Sequence, residues 1–341
     1  MVGLLGTGGM GAVYRAEHLG IHRPVAIKVL QPDFANDANF AARFEREAQA
    51  AGRMQHPNCV AVSDFGKLDD GSLYLVMELA EGVILADVLA REGALEVRRA
   101  LKIIRHILKA LGHVHALSVV HRDVKPDNVI LVETPEEPEF AKLLDFGIAK
   151  IVGENAAGEQ SALTTKGTTV GTPHYLSPEQ ALGRPIDARA DFYSTTAMLF
   201  ELLTAVPPYD AANPLNVLRM HVSNEIPKLG SVVGWQVPPA LEDLLAKGLA
   251  KKPDDRFFNA TEYIRAIDDL LHTFESDVAF EPTVAVAPKI YDATTVDDRF
   301  ADETPTQENS QLAARRPDFV AKYWPVGLAI ACALVALGIF I

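Results

Sequence analysis

Along residues 1 to about 85, apolar and polar positions alternate in short runs such as Ala12-Val13-Tyr14, Val25 to Leu30 and Leu73 to Met77. A period of two predicts antiparallel strands. One stretch breaks the rhythm: between Phe40 and Met54, the residues Phe40, Phe44, Ala48 and Ala51 recur at spacings of four, four and three. That spacing predicts a helix with an apolar stripe for the sheet. Beyond residue 85 the period becomes helical, most clearly at Leu101, Ile104, Leu108, Leu111 and His115. Further helices are expected over about 191–203, 239–249 and 260–273. The stretch 151–172, rich in Gly, Ser and Thr, reads as an exposed loop, and Glu133 to Glu139, with two prolines, as an acidic hairpin tip.

Composition narrows the classes of function. The chain has 341 residues, 48% hydrophobic and 23% charged, which suits a globular protein and leaves room for a sizeable core. A net charge of −13 without a basic patch argues against nucleic acid as a partner. Two cysteines, Cys59 and Cys332, make no disulfide framework or Cys-rich metal site and read as small buried hydrophobes. Residues 275 to 318 hold ten acidic and four basic side chains with no sustained period, so a flexible linker is expected there. It is followed by sixteen uncharged residues, Val326 to Ile341, behind Lys322, Tyr323, Trp324 and Pro325. Met1 to Met10 runs into glycines without the basic start of a secretory leader.

Several motifs carry candidate chemistry. Gly6-Thr7-Gly8-Gly9-Met10-Gly11 fits G-x-G-x-x-G, in which missing Cβ atoms let backbone N–H groups approach phosphate oxygens. A dinucleotide-binding turn would place a helix directly after these glycines, whereas strand-like sequence follows, so they are expected in a hairpin. Lys28 is the single lysine of the apolar run Val25-Ala26-Ile27-Lys28, a position that calls for an anionic partner when buried. Glu47, on the predicted helix, is placed to face it. The sharpest signal is His121-Arg122-Asp123-Val124-Lys125-Pro126-Asp127-Asn128, followed by Asp145-Phe146-Gly147.

With these elements in this order, the chain resembles the eukaryotic-like (Hanks-type) Ser/Thr protein kinases, and its Gly-rich loop and Tyr175-Leu176-Ser177-Pro178-Glu179 look like the bacterial branch. The resemblance implies an α+β, bilobal protein-kinase fold over residues 1–273. The N-lobe, over about 1–80, would be an antiparallel sheet with one main helix; the C-lobe, over about 81–273, would be mainly helical. It implies ATP and Mg²⁺, or Mn²⁺ in its place, as cofactors. Asp123 would orient the substrate hydroxyl and take its proton, Lys125 would contact the transferring phosphate, and Asn128 and Asp145 would hold the metal. Lys28, paired with Glu47, would grip the α and β phosphates beneath Gly6, Gly8, Gly9 and Gly11. Leu5, Val13 and Ala26 would roof the adenine and Ile130 would floor it, with Met77 as gatekeeper and Glu78 to Ala80 as hinge. Glu179 would pair with Arg256, Asp191 would accept bonds from the catalytic loop, and a phosphate on Thr164, Thr165, Thr168 or Thr169 would supply the counter-charge for Arg122.

Other consequences concern partners and place. Protein substrates are expected phosphoacceptors, and so is the chain itself, alone or as a dimer. A silent pseudokinase scaffold is the alternative, disfavoured because Lys28, Asp123, Asn128 and Asp145 are all intact; Lys125 speaks against a tyrosine kinase. Only Met1 to Leu5 precede Gly6, so the first strand is expected to be cut short. Residues 274–321 would be an acidic juxtamembrane linker and 322–341 a transmembrane helix, with the kinase domain on the cytoplasmic side of the inner or plasma membrane.

Overall fold

The computed structural model describes residues 2–8, 11–31, 38–144 and 173–276. Five strands, β1 (Gly3–Gly8), β2 (Gly11–His18), β3 (Arg23–Leu30), β4 (Val62–Lys67) and β5 (Leu73–Glu78), form an antiparallel sheet in the order β1-β2-β3-β5-β4. The helix α1 (Ala38–Ala51) lays Phe40, Phe44 and Ala48 on one face of that sheet, against Ala26, Leu30, Leu75 and Met77. The stripe is the expected one, but the helix stops three residues before Met54. Gly52 begins a turn there, and Met54 is buried in the C-lobe core instead. A six-residue β1 does form, paired with β2 from Gly3↔Arg15 to Gly8↔Gly11 and exposed along its length. Gly6, Gly8 and Gly11 therefore sit on the paired strands of a hairpin, as the strand-like flanks require.

The C-lobe begins with a small sheet of β6 (Gly82–Ile84), β7 (Val129–Val132) and β8 (Phe140–Leu143), whose β7–β8 connection carries the acidic tip. Around it lie α2 (Leu85–Glu92), α3 (Val97–Ala116), α4 (Pro178–Ala181), α5 (Arg189–Thr204), α6 (Pro214–Ser223), α7 (Pro239–Gly248) and α8 (Ala260–Ser276). The helices expected from periodicity are present within a few residues. The short α2 and α6 were not legible as periodic stripes, because eight and ten residues offer too few turns to repeat one.

The centre of the lobe is α5, buried at nearly every position although it carries Ser194, Thr195, Thr196 and Thr204. Each hydroxyl donates to the carbonyl four residues back, at 3.2, 2.7, 2.7 and 2.8 Å, so no polar group is stranded. Against it α7 packs so closely that a Cβ on Gly248 would stand 2.1 Å from Thr196 Oγ1. Cys59 is buried as expected, and burial pushes its thiol up to about 12, which leaves it unreactive. Among the described residues no helix is long and apolar enough to cross a membrane. The expected loop 151–172 and segment 322–341, and the expected linker beyond the end of α8, lie outside the described residues.

Candidate active site

The sheet register gathers the N-lobe candidates. Val13 lies opposite Lys28, Lys28 opposite Leu75, and Ala26 opposite Met77. Opposed residues of antiparallel strands share a face, and residues two apart on one strand do so as well. Val13, Ala26, Lys28 and Met77 therefore occupy the face that receives α1, where Glu47 follows the buried stripe, adjacent to Ala48. At the front of the sheet Leu5 lies at a bulge between Leu4 and Gly6, 52% exposed. Gly11 closes the hairpin at φ +155°, and a Cβ there would lie 2.0 Å from the Val29 carbonyl oxygen. Gly9 lies outside the described residues.

Where β5 ends, Glu78 binds Lys142 of β8, and its backbone N–H donates to Ala61 O at 2.8 Å. Ala80 is half-buried and packs on the N-lobe core. Ile130 stands in the middle of the small sheet, opposite Ile84 on one side and Lys142 on the other.

Below them the loop from His121 to Asn128 is held from three directions. From α5, the Asp191 carboxylate accepts the His121 N–H at 2.8 Å and the Arg122 N–H at 2.7 Å, and His115 Nε2 lies 2.7 Å from it. From α4, Gln180 Nε2 donates to Arg122 O at 2.9 Å, while Ser177 and Gln180 cap the helix reciprocally. These bonds hold Arg122 at φ +67°, a left-handed conformation that a non-glycine residue adopts at a cost. From the start of the loop, His121 Nδ1 accepts the Asp123 N–H at 3.3 Å, so its Nε2 carries the proton and donates to Leu144 O at 3.0 Å.

That scaffold presents three functional groups together. Asn128 Nδ2 donates to Asp123 O at 2.7 Å and to Asp123 Oδ2 at 2.9 Å, and Lys125 Nζ lies 3.1 Å from the same Oδ2. The carboxylate plane of Asp123 is thus fixed by a neutral donor and a cation. Asp145, Thr164, Thr165, Thr168 and Thr169 lie outside the described residues.

Two pairs brace the site from behind. Glu179 and Arg256, 6% and 3% exposed, form a bidentate pair at 2.7 and 2.8 Å. The remaining Arg256 N–H groups donate to the carbonyls of Arg189, Ala250 and Lys251, so all five donors are used and the buried charge is fully solvated by protein. Tyr175 donates its hydroxyl to the Glu201 carboxylate. Burial, then that carboxylate, pushes the tyrosine hydroxyl up; burial also raises Glu201, against the bond from Tyr175. His115, Gln180 and Lys142 are contacts around the candidate site that the motifs did not point out. Gln180 left a sequence signal in the Ser-x-x-Gln spacing of a capping box, and His115 in its place on the apolar stripe; Lys142 left none.

The protein kinase domain family matches residues 1–266. The Serine/threonine-protein kinase pkn3 of Myxococcus xanthus is 39% identical over 269 residues, covering 78% of this chain and 49% of the relative. PknD of Mycobacterium tuberculosis is 40% identical over 276 residues, covering 81% and 40%, and PknB of Mycolicibacterium smegmatis is 40% identical over 284 residues, covering 82% and 44%. The chain thus spans less than half the length of these curated relatives. Among solved structures, the kinase domain of Mycobacterium tuberculosis PknI superimposes with a TM-score of 0.59 at 30% identity, over 79% of this chain and 94% of that one. With its bilobal fold, its Asp123–Lys125–Asn128 cluster and these relatives, the chain belongs to the Hanks-type protein kinase family, in its bacterial Ser/Thr branch.

Proposed function

We propose that this protein transfers the terminal phosphoryl group of ATP to Ser and Thr hydroxyls of proteins, its own included, in membrane-associated signalling. The observation that carries the reading is the Asp123 carboxylate, oriented by Asn128 and Lys125 in a loop hung on Asp191. Phosphoryl transfer needs little covalent help from the protein and much positioning and charge. The Asp123 carboxylate, oriented through Oδ2 by Asn128 and Lys125, aligns the acceptor hydroxyl and takes its proton. Lys125, next to that carboxylate, supplies positive charge to the phosphoryl group in transit.

The donor set suits a hard divalent cation. Asn128 uses its amide nitrogen on Asp123, and among the described residues nothing donates to its carboxamide oxygen, which together with the Asp145 carboxylate would hold Mg²⁺. When bound, the metal neutralises charge on the triphosphate. Gly6, Gly8, Gly9 and Gly11, with Lys28 and Glu47, are the proposed phosphate cradle; Leu5, Val13, Ala26, Met77, Glu78, Ala80 and Ile130 are the proposed adenine pocket. Phosphorylation of Thr164, Thr165, Thr168 or Thr169 is the proposed activating event. The uncharged segment Val326 to Ile341 supports anchoring at the inner or plasma membrane.

Purified protein with ATP and Mg²⁺ tests this. The parent chain should phosphorylate a basic Ser/Thr peptide and place phosphate within 164–169 of itself. Asp123→Asn should fold normally and lower kcat by about 10²- to 10⁴-fold, as loss of a positioned base does, and Glu136→Ala, in the acidic tip, should leave kcat unchanged. An Asp123→Asn enzyme with parental turnover would overturn the assignment, and a well-folded parent with no transfer would favour the pseudokinase scaffold.

A further inference from the structure

One charged side chain of the small sheet reaches the hinge. Lys142 lies directly across from Ile130. Opposed residues share a face, so Lys142 leaves the sheet on the side of the proposed adenine floor. Its ammonium ends on Glu78 Oε1, with the two side chains only 16% and 23% exposed. Glu78 is in turn tied to the N-lobe: its backbone N–H donates to Ala61 O at 2.8 Å, and its Oε2 accepts the Ala61 N–H at 3.4 Å. The same strand β8 grips the N-lobe a second time through Asn58, whose Nδ2 donates to Ala141 O and whose carbonyl accepts the Leu143 N–H, both at 2.8 Å. The backbone grip sets where β8 lies, and the Glu78–Lys142 pair sets how close the end of β5 comes to it.

We propose that Lys142 is a positioning residue for ATP, which holds the hinge backbone at a fixed height over Ile130 by gripping Glu78. The inference rests on the kinase reading above. An exposed pair would contribute little, but here removal of the cation leaves a shielded carboxylate without its partner. Glu78 then turns toward water and draws the hinge with it, and the adenine slot loses its width. Asp123, Lys125 and Asn128 belong to a loop held by α4 and α5, so the transfer step itself is untouched.

The test compares the full chain with Lys142→Met and Lys142→Arg, measuring the dissociation constant of ADP by calorimetry and the kcat and KM for ATP. Lys142→Met should raise both the ADP dissociation constant and the KM about tenfold with kcat within about twofold of the parent, and Lys142→Arg should recover most of the affinity, because a guanidinium still reaches Glu78. Should Lys142→Met not fold, Lys142→Gln is read the same way. Unchanged ADP affinity in a folded variant overturns this inference alone, as does a fall in kcat that matches the loss of affinity. A parent chain that binds no ADP overturns the kinase reading and this inference together.

Discussion

Gly8 and Gly11 end the two strands of one hairpin and answer to different constraints. At Gly11 the backbone sits at φ +155° and a Cβ would overlap the Val29 carbonyl oxygen of the neighbouring strand, so the fold itself demands glycine. At Gly8 nothing among the described residues lies within 4 Å of the position a Cβ would take, so the demand for glycine there would come from the phosphate of the proposed cradle. Gly11→Ala should therefore cost about 2 kcal/mol or more of stability, read from the urea midpoint. Gly8→Ala should melt near the parent and lose ATP affinity. Equal melting losses in both would mean that the whole motif is structural. In the sequence the two glycines are equivalent members of one pattern; the distinction exists only once β3 lies beside β2.

At the scale of an element, α6 shows how a polar residue becomes a core residue. Its start is well marked, with Asn213 Oδ1 accepting the Leu215 N–H at 2.9 Å and Pro214 at the first helical position. Its buried face, however, is Val217, Leu218 and His221, and a histidine does not announce a core position. The His221 ring is fully buried, 2.8 Å from the Tyr193 hydroxyl, and burial, helped by the charge of Lys251, lowers its pKa to about 3. The unfolded imidazole takes a proton near 6.5. Between those values the unfolded chain binds more protons than the folded one, so acid favours unfolding there and stability rises with pH. The contribution is about 1.4 kcal/mol for each pH unit below about 6.5. Urea titrations at stepped pH should show a shallower acid loss in His221→Gln than in the parent, and parallel losses would remove this histidine from the acid sensitivity of the fold.

At the scale of the whole molecule, the remaining prediction concerns place. Val326 to Ile341 supplies sixteen uncharged residues, which as a helix would reach about 24 Å at roughly 1.5 Å per residue. That would be slightly short of a hydrocarbon core of ~30 Å, a mismatch that bilayer thinning and interfacial Tyr and Trp would absorb in the proposed anchor. Arg315, Arg316 and Lys322 precede it and favour the cytoplasm for that side, where ATP is found. The 341-residue chain should remain in the membrane pellet through alkaline washing, and a chain ending at Asp318 should be soluble. Release of the 341-residue chain by alkali would limit the attachment to a peripheral one.

The sequence by itself determined the lobes, the order of most elements and the candidates for the reacting groups. It could do so because a strand or helix of several turns repeats its period locally, and because Asp123, Lys125 and Asn128 lie within six consecutive residues of one loop. What holds those groups still is decided by tertiary structure, and only the Asp191 bond, 69 positions from Arg122, was expected, through the family resemblance. The bonds from Gln180 to Arg122 and from Lys142 to Glu78 span 58 and 64 positions. Gln180 and Lys142 meet their partners only because α4 converges on the catalytic loop and β8 on the end of β5. No local period encodes such a convergence, since the contacts depend on how helices and strands pack and not on the spacing of residues within any one of them.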